Sequence, residues 1–97
     1  MLPWTRVRVI GPSMEPTMSN GEWWVVRRTR SVRPGDVILL AHPERRDALV
    51  VKRVAQADQG GWWVLGDNLA ESEDSRHFGP VPPENVVGRL WFRYGRD

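Results

Sequence analysis

Ala48-Leu49-Val50-Val51-Lys52-Arg53-Val54-Ala55 decides the architecture of this chain. The stretch is short and rich in β-branched residues, so it reads as a strand, and in a strand alternate side chains share a face. Lys52 then projects from an apolar row with Val50 and Val54, while Arg53 sides with Leu49 and Val51. Downstream, Ala57-Asp58-Gln59-Gly60-Gly61 is a turn-forming stretch and Trp62 to Leu65 is strand-like again, which predicts an antiparallel hairpin. Upstream, Arg33-Pro34-Gly35-Asp36 predicts a type II turn, because Pro presets φ at the second position and Gly supplies the positive φ that follows. That turn leads into a strand over Asp36 to His42.

The same grammar extends to both ends. Further strands are expected at Thr5 to Ile10, Trp23 to Thr29 and Val86 to Tyr94, and helix is confined to a turn or two near Pro82 to Val86. With 97 residues the chain is expected to form one domain, residues 1–97, mostly β with little helix.

Lys52 is the sole lysine, against thirteen arginines. Arginine keeps its charge in proteins, whereas a desolvated lysine can lose its proton and serve as a base. The ordinary alternative is a lysine whose stem lies on the sheet while its head reaches water. The formal net charge of +2 does not call for a nucleic-acid partner. Absence of cysteine excludes disulfides, thiolate metal ligands and a cysteine nucleophile. Two histidines, His42 and His77, make no metal site, no cofactor is expected, and both are expected at the surface or in loops.

The longest aliphatic run, Val37 to Ala41, is far short of the roughly 20 apolar residues of a membrane-spanning helix. Met1 to Arg6 lacks the apolar segment of a secretory signal, so a cytoplasmic location is expected, with membrane association only if a longer chain carries an anchor. Six tryptophans are present. In Trp23-Trp24 and Trp62-Trp63 adjacent rings point to opposite faces, so one of each pair is expected in the core. Its partner is a candidate to pack under a loop, contact a substrate chain or touch a membrane interface, and with Arg27, Arg28 and Arg30 near the first pair, peripheral contact with anionic lipid ranks below ordinary packing.

In Gly11-Pro12-Ser13-Met14-Glu15-Pro16-Thr17-Met18 a serine lies between two prolines, in a segment that suits neither a regular helix nor a central strand. Ser13-Met14-Glu15-Pro16-Thr17 resembles the nucleophile motif of the signal peptidase I family of serine proteases, and Leu49 to Arg53 resembles that family's general-base segment. Gly66-Asp67-Asn68, followed by Ser72, Asp74-Ser75-Arg76 and Gly79, is similar to its third signature, and Arg33-Pro34-Gly35-Asp36-Val37 to its remaining box. The four segments occur in the family's order.

The resemblance implies a small, coiled antiparallel β-sheet or barrel that removes an N-terminal leader from a precursor protein. It implies Ser13 as nucleophile and Lys52 as base, with Ser72 orienting the amine. It further implies Asp74 and Arg76 as a bracing ion pair, Gly66, Asp67 and Asn68 as the adjoining loop, and the Ser13 N–H as an oxyanion donor. Pro12 and Met14 are candidates for substrate contact. Where some members carry a second, side-chain donor two residues before the nucleophile, this chain has Gly11. In size and wording it is most similar to the small proteases that mature nickel-type superoxide dismutase; secretory leaders are the alternative substrate. Self-cleaving repressors also pair serine with lysine, but no Ala-Gly dipeptide is present here. A reading from another class is a basic, Trp-rich module that binds nucleic acid or lipid without catalysis.

Overall fold

A computed structural model describes residues 2–97. Six strands account for most of the regular secondary structure: β1 (Trp4–Arg8), β2 (Glu22–Arg28), β3 (Val37–Ala41), β4 (Leu49–Asp58), β5 (Gly61–Leu65) and β6 (Val86–Arg96). They form one antiparallel sheet in the order β1-β2-β6-β3-β4-β5. All six expected strands are present, with ends displaced by a few residues.

Helix is more frequent than the sequence suggests. Besides the single 3-10 turn at Pro83–Asn85, there is a second at Leu69–Glu71 and a one-turn α1 (Ser75–Phe78). The extra turn at Ser75–Phe78 exists because Asp74 caps it: the carboxylate accepts the Arg76 N–H, and His77 Nδ1 accepts the Asp74 N–H.

Both expected turns are found. Gly35 has φ +98° and the Asp36 N–H bonds the Arg33 carbonyl at 3.1 Å. The β4–β5 turn is tighter than predicted, since β4 runs on to Asp58 and only Gln59 and Gly60, both with positive φ, make the reversal.

Alternation along β3 sends its residues into two separate cores. Val37 and Leu39 join Val9, Met14, Met18, Val26 and Leu90 on one side, whereas Ile38 and Leu40 join Val54, Val64, Val81 and Val86 on the other. β6 approaches β2 so closely that a side chain at Gly88 would meet the Arg27 carbonyl oxygen at 2.3 Å. The tryptophan pairs depart from expectation: Trp24 packs against the first core and Trp62 against the second, but none of the four rings is fully buried. Each core lies between a sheet face and short loops, which leaves the large indoles at its margins. Among the described residues, no helix is long and apolar enough to cross a membrane.

Leu40 is completely buried in the second core. Leu40→Ala is expected to destabilise the domain by about 3 kcal/mol, measured by urea denaturation.

Candidate active site

Ser13 and Lys52 line one cleft of about 190 Å³, together with Val7 to Ile10 from β1, Met14, and Leu49 to Val51 from β4. Neither His42 nor His77 lines it. Each side chain arrives there for a local reason. Ser13 sits in the turn-rich loop between β1 and β2, whose Glu15 and Met18 N–H groups bond back to the Pro12 and Met14 carbonyls. Met14 is buried in the first core and anchors the loop. Lys52 lies in mid-β4, opposite Ile38 of β3 and on the face of the second core.

Lys52 is only 5% exposed. Burial disfavours the ammonium and lowers its pKa; the negative charges of Asp74 and Glu73 partly oppose this, and Arg76 adds to it. The amine donates to the Ser72 hydroxyl at 3.2 Å, and that hydroxyl donates to Asp74 Oδ2 at 2.8 Å. Burial alone would raise the Asp74 carboxyl, but hydrogen bonds from the Arg76 guanidinium, the Gly66 N–H, the Ser72 hydroxyl and the Arg76 N–H bring it down to about 2.

The direction of these bonds fixes the chemistry of the amine. Asp74 is ionised at neutral pH and can only accept, so the single Ser72 proton points to Asp74. Ser72 Oγ then presents lone pairs to Lys52, which must donate. In a neutral Lys52 the nitrogen lone pair is therefore directed away from Ser72 and remains free for another proton.

The loop Gly66-Asp67-Asn68 holds the serine segment from the other side. The Asn68 N–H bonds the Ser13 carbonyl at 2.9 Å and its side-chain amide bonds the Pro12 carbonyl at 3.1 Å. Asp67 takes two bonds from Arg53, at 2.9 and 2.8 Å, and one from the Thr17 hydroxyl at 2.5 Å. A side chain at Gly66 would collide with Ser72 Oγ at 2.2 Å and the Ser13 carbonyl oxygen at 2.6 Å. Arg76 reaches from Asp74 to the Leu69 and Ser72 carbonyls at 2.7 and 3.2 Å, closing the loop on itself.

The structure thus gathers Ser13, Lys52, Ser72, Asp74, Arg76 and the loop 66–68 into one connected group. Met14 lines the cleft; Pro12 is exposed and contributes its carbonyl to the scaffold. Gly11 has φ +84° and its N–H is held by Asn20 Oδ1 at 2.8 Å, so a side-chain donor there would require a strained backbone. Thr17, Asn20 and Arg53 are participants the motifs did not single out. His42 corrects an expectation: it does follow β3 in a loop, but it is 1% exposed, because Phe78 and Glu73 cover its ring. Among the described residues, no three His, Cys, Asp or Glu side chains are grouped to hold a metal ion.

A loop-borne serine and a desolvated strand lysine in one β-sheet cleft define a candidate hydrolase site, and comparison with known proteins supplies the family. The Peptidase S24-like family matches residues 4–77, and the chain belongs to it. It is 33% identical to mitochondrial inner membrane protease subunit 1 of Schizosaccharomyces pombe, over 84% of this chain and 69% of that protein. To the subunit 1 of Xenopus tropicalis it is 32% identical, over 86% and 64%. To the chloroplastic thylakoidal processing peptidase 1 of Arabidopsis thaliana it is 36% identical, over 78% and 22%. The chain spans about two thirds of the length of the inner membrane protease subunits it matches.

Gly66→Ala is expected to displace Ser72 and the Ser13 backbone together, costing about 1 to 3 kcal/mol in thermal or denaturant unfolding. Lys52→Met is expected to stabilise the fold at neutral pH by removing the cost of burying an ammonium. Below the folded-state pKa of Lys52 that cost is carried in full; between the folded and unfolded values the unfolded chain binds more protons and stability rises with pH. The advantage of Lys52→Met over the unsubstituted protein should therefore shrink as pH climbs toward that of free lysine. Denaturant midpoints measured across that range check it.

Proposed function

We propose that this chain is a serine endopeptidase that removes an N-terminal leader from a precursor protein through an acyl-enzyme, with Ser13 as nucleophile and Lys52 as general base. Lys52 is the observation that carries this reading. It is buried, its pKa is lowered by desolvation, and the donation to Ser72 leaves its neutral lone pair available within the cleft that Ser13 also lines.

In the proposed cycle Ser13 Oγ attacks the scissile carbonyl as its proton passes to Lys52 Nζ. The developing oxyanion is met by the Ser13 N–H, which has no acceptor among the described residues. Collapse expels the new N-terminal amine, which takes the proton from Lys52. Water then attacks the acyl carbon as its proton passes to Lys52, the bond to Ser13 Oγ breaks as Lys52 returns that proton to the serine, and the freed leader ionises to a carboxylate. A hydroxyl partner suits this base, since a carboxylate bonded directly to the amine would hold it protonated.

The cleft walls favour an extended substrate. Leu49 to Lys52 pair with β3 on one side only, because β5 joins β4 no earlier than Arg53, and β1 is an edge strand. A peptide laid between them can bond to exposed backbone. The relatives named as an inner membrane protease and a processing peptidase support a leader-removing role. We take nickel-type superoxide dismutase precursor as the substrate to try first, on the size and motif wording of the chain, acting in the cytoplasm.

Ser13→Ala and Lys52→Ala are each expected to abolish processing of that precursor while the folded β-sheet signal in circular dichroism is kept. Undiminished cleavage by folded Lys52→Ala would overturn the lysine-base mechanism. The kcat/KM profile is expected to rise through a limb below the 10.5 of an ordinary lysine, because the base must be neutral to accept the serine proton. Sequencing the new N-termini from a panel that includes secretory leaders identifies the substrate: cleavage of those leaders alone would move the assignment to signal-peptide processing.

A further inference from the structure

We infer that His42 is a positioning residue, which acts through Glu73 to set where the Ser72 hydroxyl stands relative to Lys52. The inference rests on the serine/lysine reading above, since it concerns how that lysine is held.

Ser72 and Asp74 are both buried and extended, with φ, ψ of −124°, 128° and −151°, −160°. Alternation in an extended segment turns their side chains inward and that of Glu73, between them, to the opposite side. A grip on Glu73 therefore governs rotation of the segment about its own axis, and with it the position of Ser72 Oγ.

His42 supplies that grip from a rigid base. It directly follows β3, its N–H bonds the Ala48 carbonyl at 2.9 Å, and its carbonyl accepts the Arg45 N–H at 3.2 Å. The Glu44 N–H donates to His42 Nδ1 at 3.0 Å, so the ring proton is left on Nε2, which lies 2.8 Å from Glu73 Oε1. The Phe78 ring, 4.8 Å away between centroids, packs on the imidazole from the turn that Asp74 caps. Arg45 adds a bond to the same Glu73 oxygen at 3.0 Å.

A half-exposed ion pair is worth little to stability by itself, but a buried imidazole with both nitrogens engaged is a strong geometric constraint. It ties the β3–β4 connection to the Ser72–Asp74 segment, and among the described residues the exposed Arg45–Glu73 pair is the one other side-chain hydrogen bond that joins these two stretches. Glu73 also places a negative charge near Lys52.

The sole lysine makes the test direct, because the Nζ resonance of Lys52 has no side-chain counterpart and can be followed by NMR through a pH titration without any substrate. Against the unsubstituted protein, His42→Ala and Glu73→Ala are expected to broaden or move that resonance at fixed pH and to lower kcat by roughly tenfold, with KM changed much less. Glu73→Gln keeps an acceptor for His42 but removes the charge. It is expected to hold kcat near the unsubstituted value while moving the Lys52 titration to lower pH. Leu90→Ala, which loosens the first core and leaves the Phe78 packing on His42 in place, serves as the control for simple destabilisation.

An unchanged Lys52 resonance and titration in folded His42→Ala would overturn the inference, as would equal effects on that resonance from Leu90→Ala. If His42→Ala does not fold, the same two readouts on Glu73→Ala decide the matter. If no precursor is cleaved by the unsubstituted protein, the functional reading fails while the resonance still tests the linkage from His42 to Lys52.

Discussion

A lysine amine buried in a sheet and joined to a hydroxyl, with the nearest carboxylate one bond further on, is the constraint around which this molecule is arranged. Desolvation pushes Lys52 toward neutrality, and Asp74, Glu73 and Arg76 adjust the balance from a distance. If Asp74 touched the amine, attraction would restore the ammonium. With Ser72 interposed, the carboxylate instead polarises a hydroxyl and dictates which way the hydrogen bonds run. Two strands, a loop and one helical turn hold that short chain of atoms in register. Gly66 leaves no room for it to shift, and Arg76 keeps Asp74 ionised.

The second organising fact is that the serine loop is not supported by its own neighbours alone. Its carbonyls at Pro12 and Ser13 are bonded by Asn68, its Thr17 by Asp67, and its Met14 is sunk in the first core. Asp67 is in turn clamped by Arg53, the residue after Lys52. Alternation along β4 thus puts the amine on one face and its neighbour's guanidinium on the other, where it steadies the loop that steadies Ser13. Membership of the Peptidase S24-like family and likeness to named processing proteases fit this economy of parts.

Much of this was legible in the chain itself. The six strands follow from β-branched runs between Pro and Gly, because those signals are local and the register of a hairpin is set by its turn. The motif wording singled out most of the residues that the fold gathers at the candidate site. What escaped depended on distant partners. The turn at Ser75–Phe78 is too short for a periodic pattern and is capped by a histidine at the position where Glu or Gln is usual. His42 beside Pro43 reads as an exposed loop, and only Phe78 and Glu73, more than thirty residues on, bury it. The indoles were placed too deep because strand alternation gives a face, not the depth of what covers it.

The order β1-β2-β6-β3-β4-β5 carries a consequence for biosynthesis. Ser13 belongs to the β1–β2 fragment and Lys52 to the β3–β4–β5 fragment, and the two fragments are bridged in the sheet by β6, which is synthesised after the other five. A nascent chain that has not yet delivered β6 carries the proposed nucleophile and the proposed base on fragments that no strand pairing joins. Completion of the six-stranded sheet then coincides with completion of the candidate site, so the order of synthesis itself holds its two halves apart until the strands can close around them.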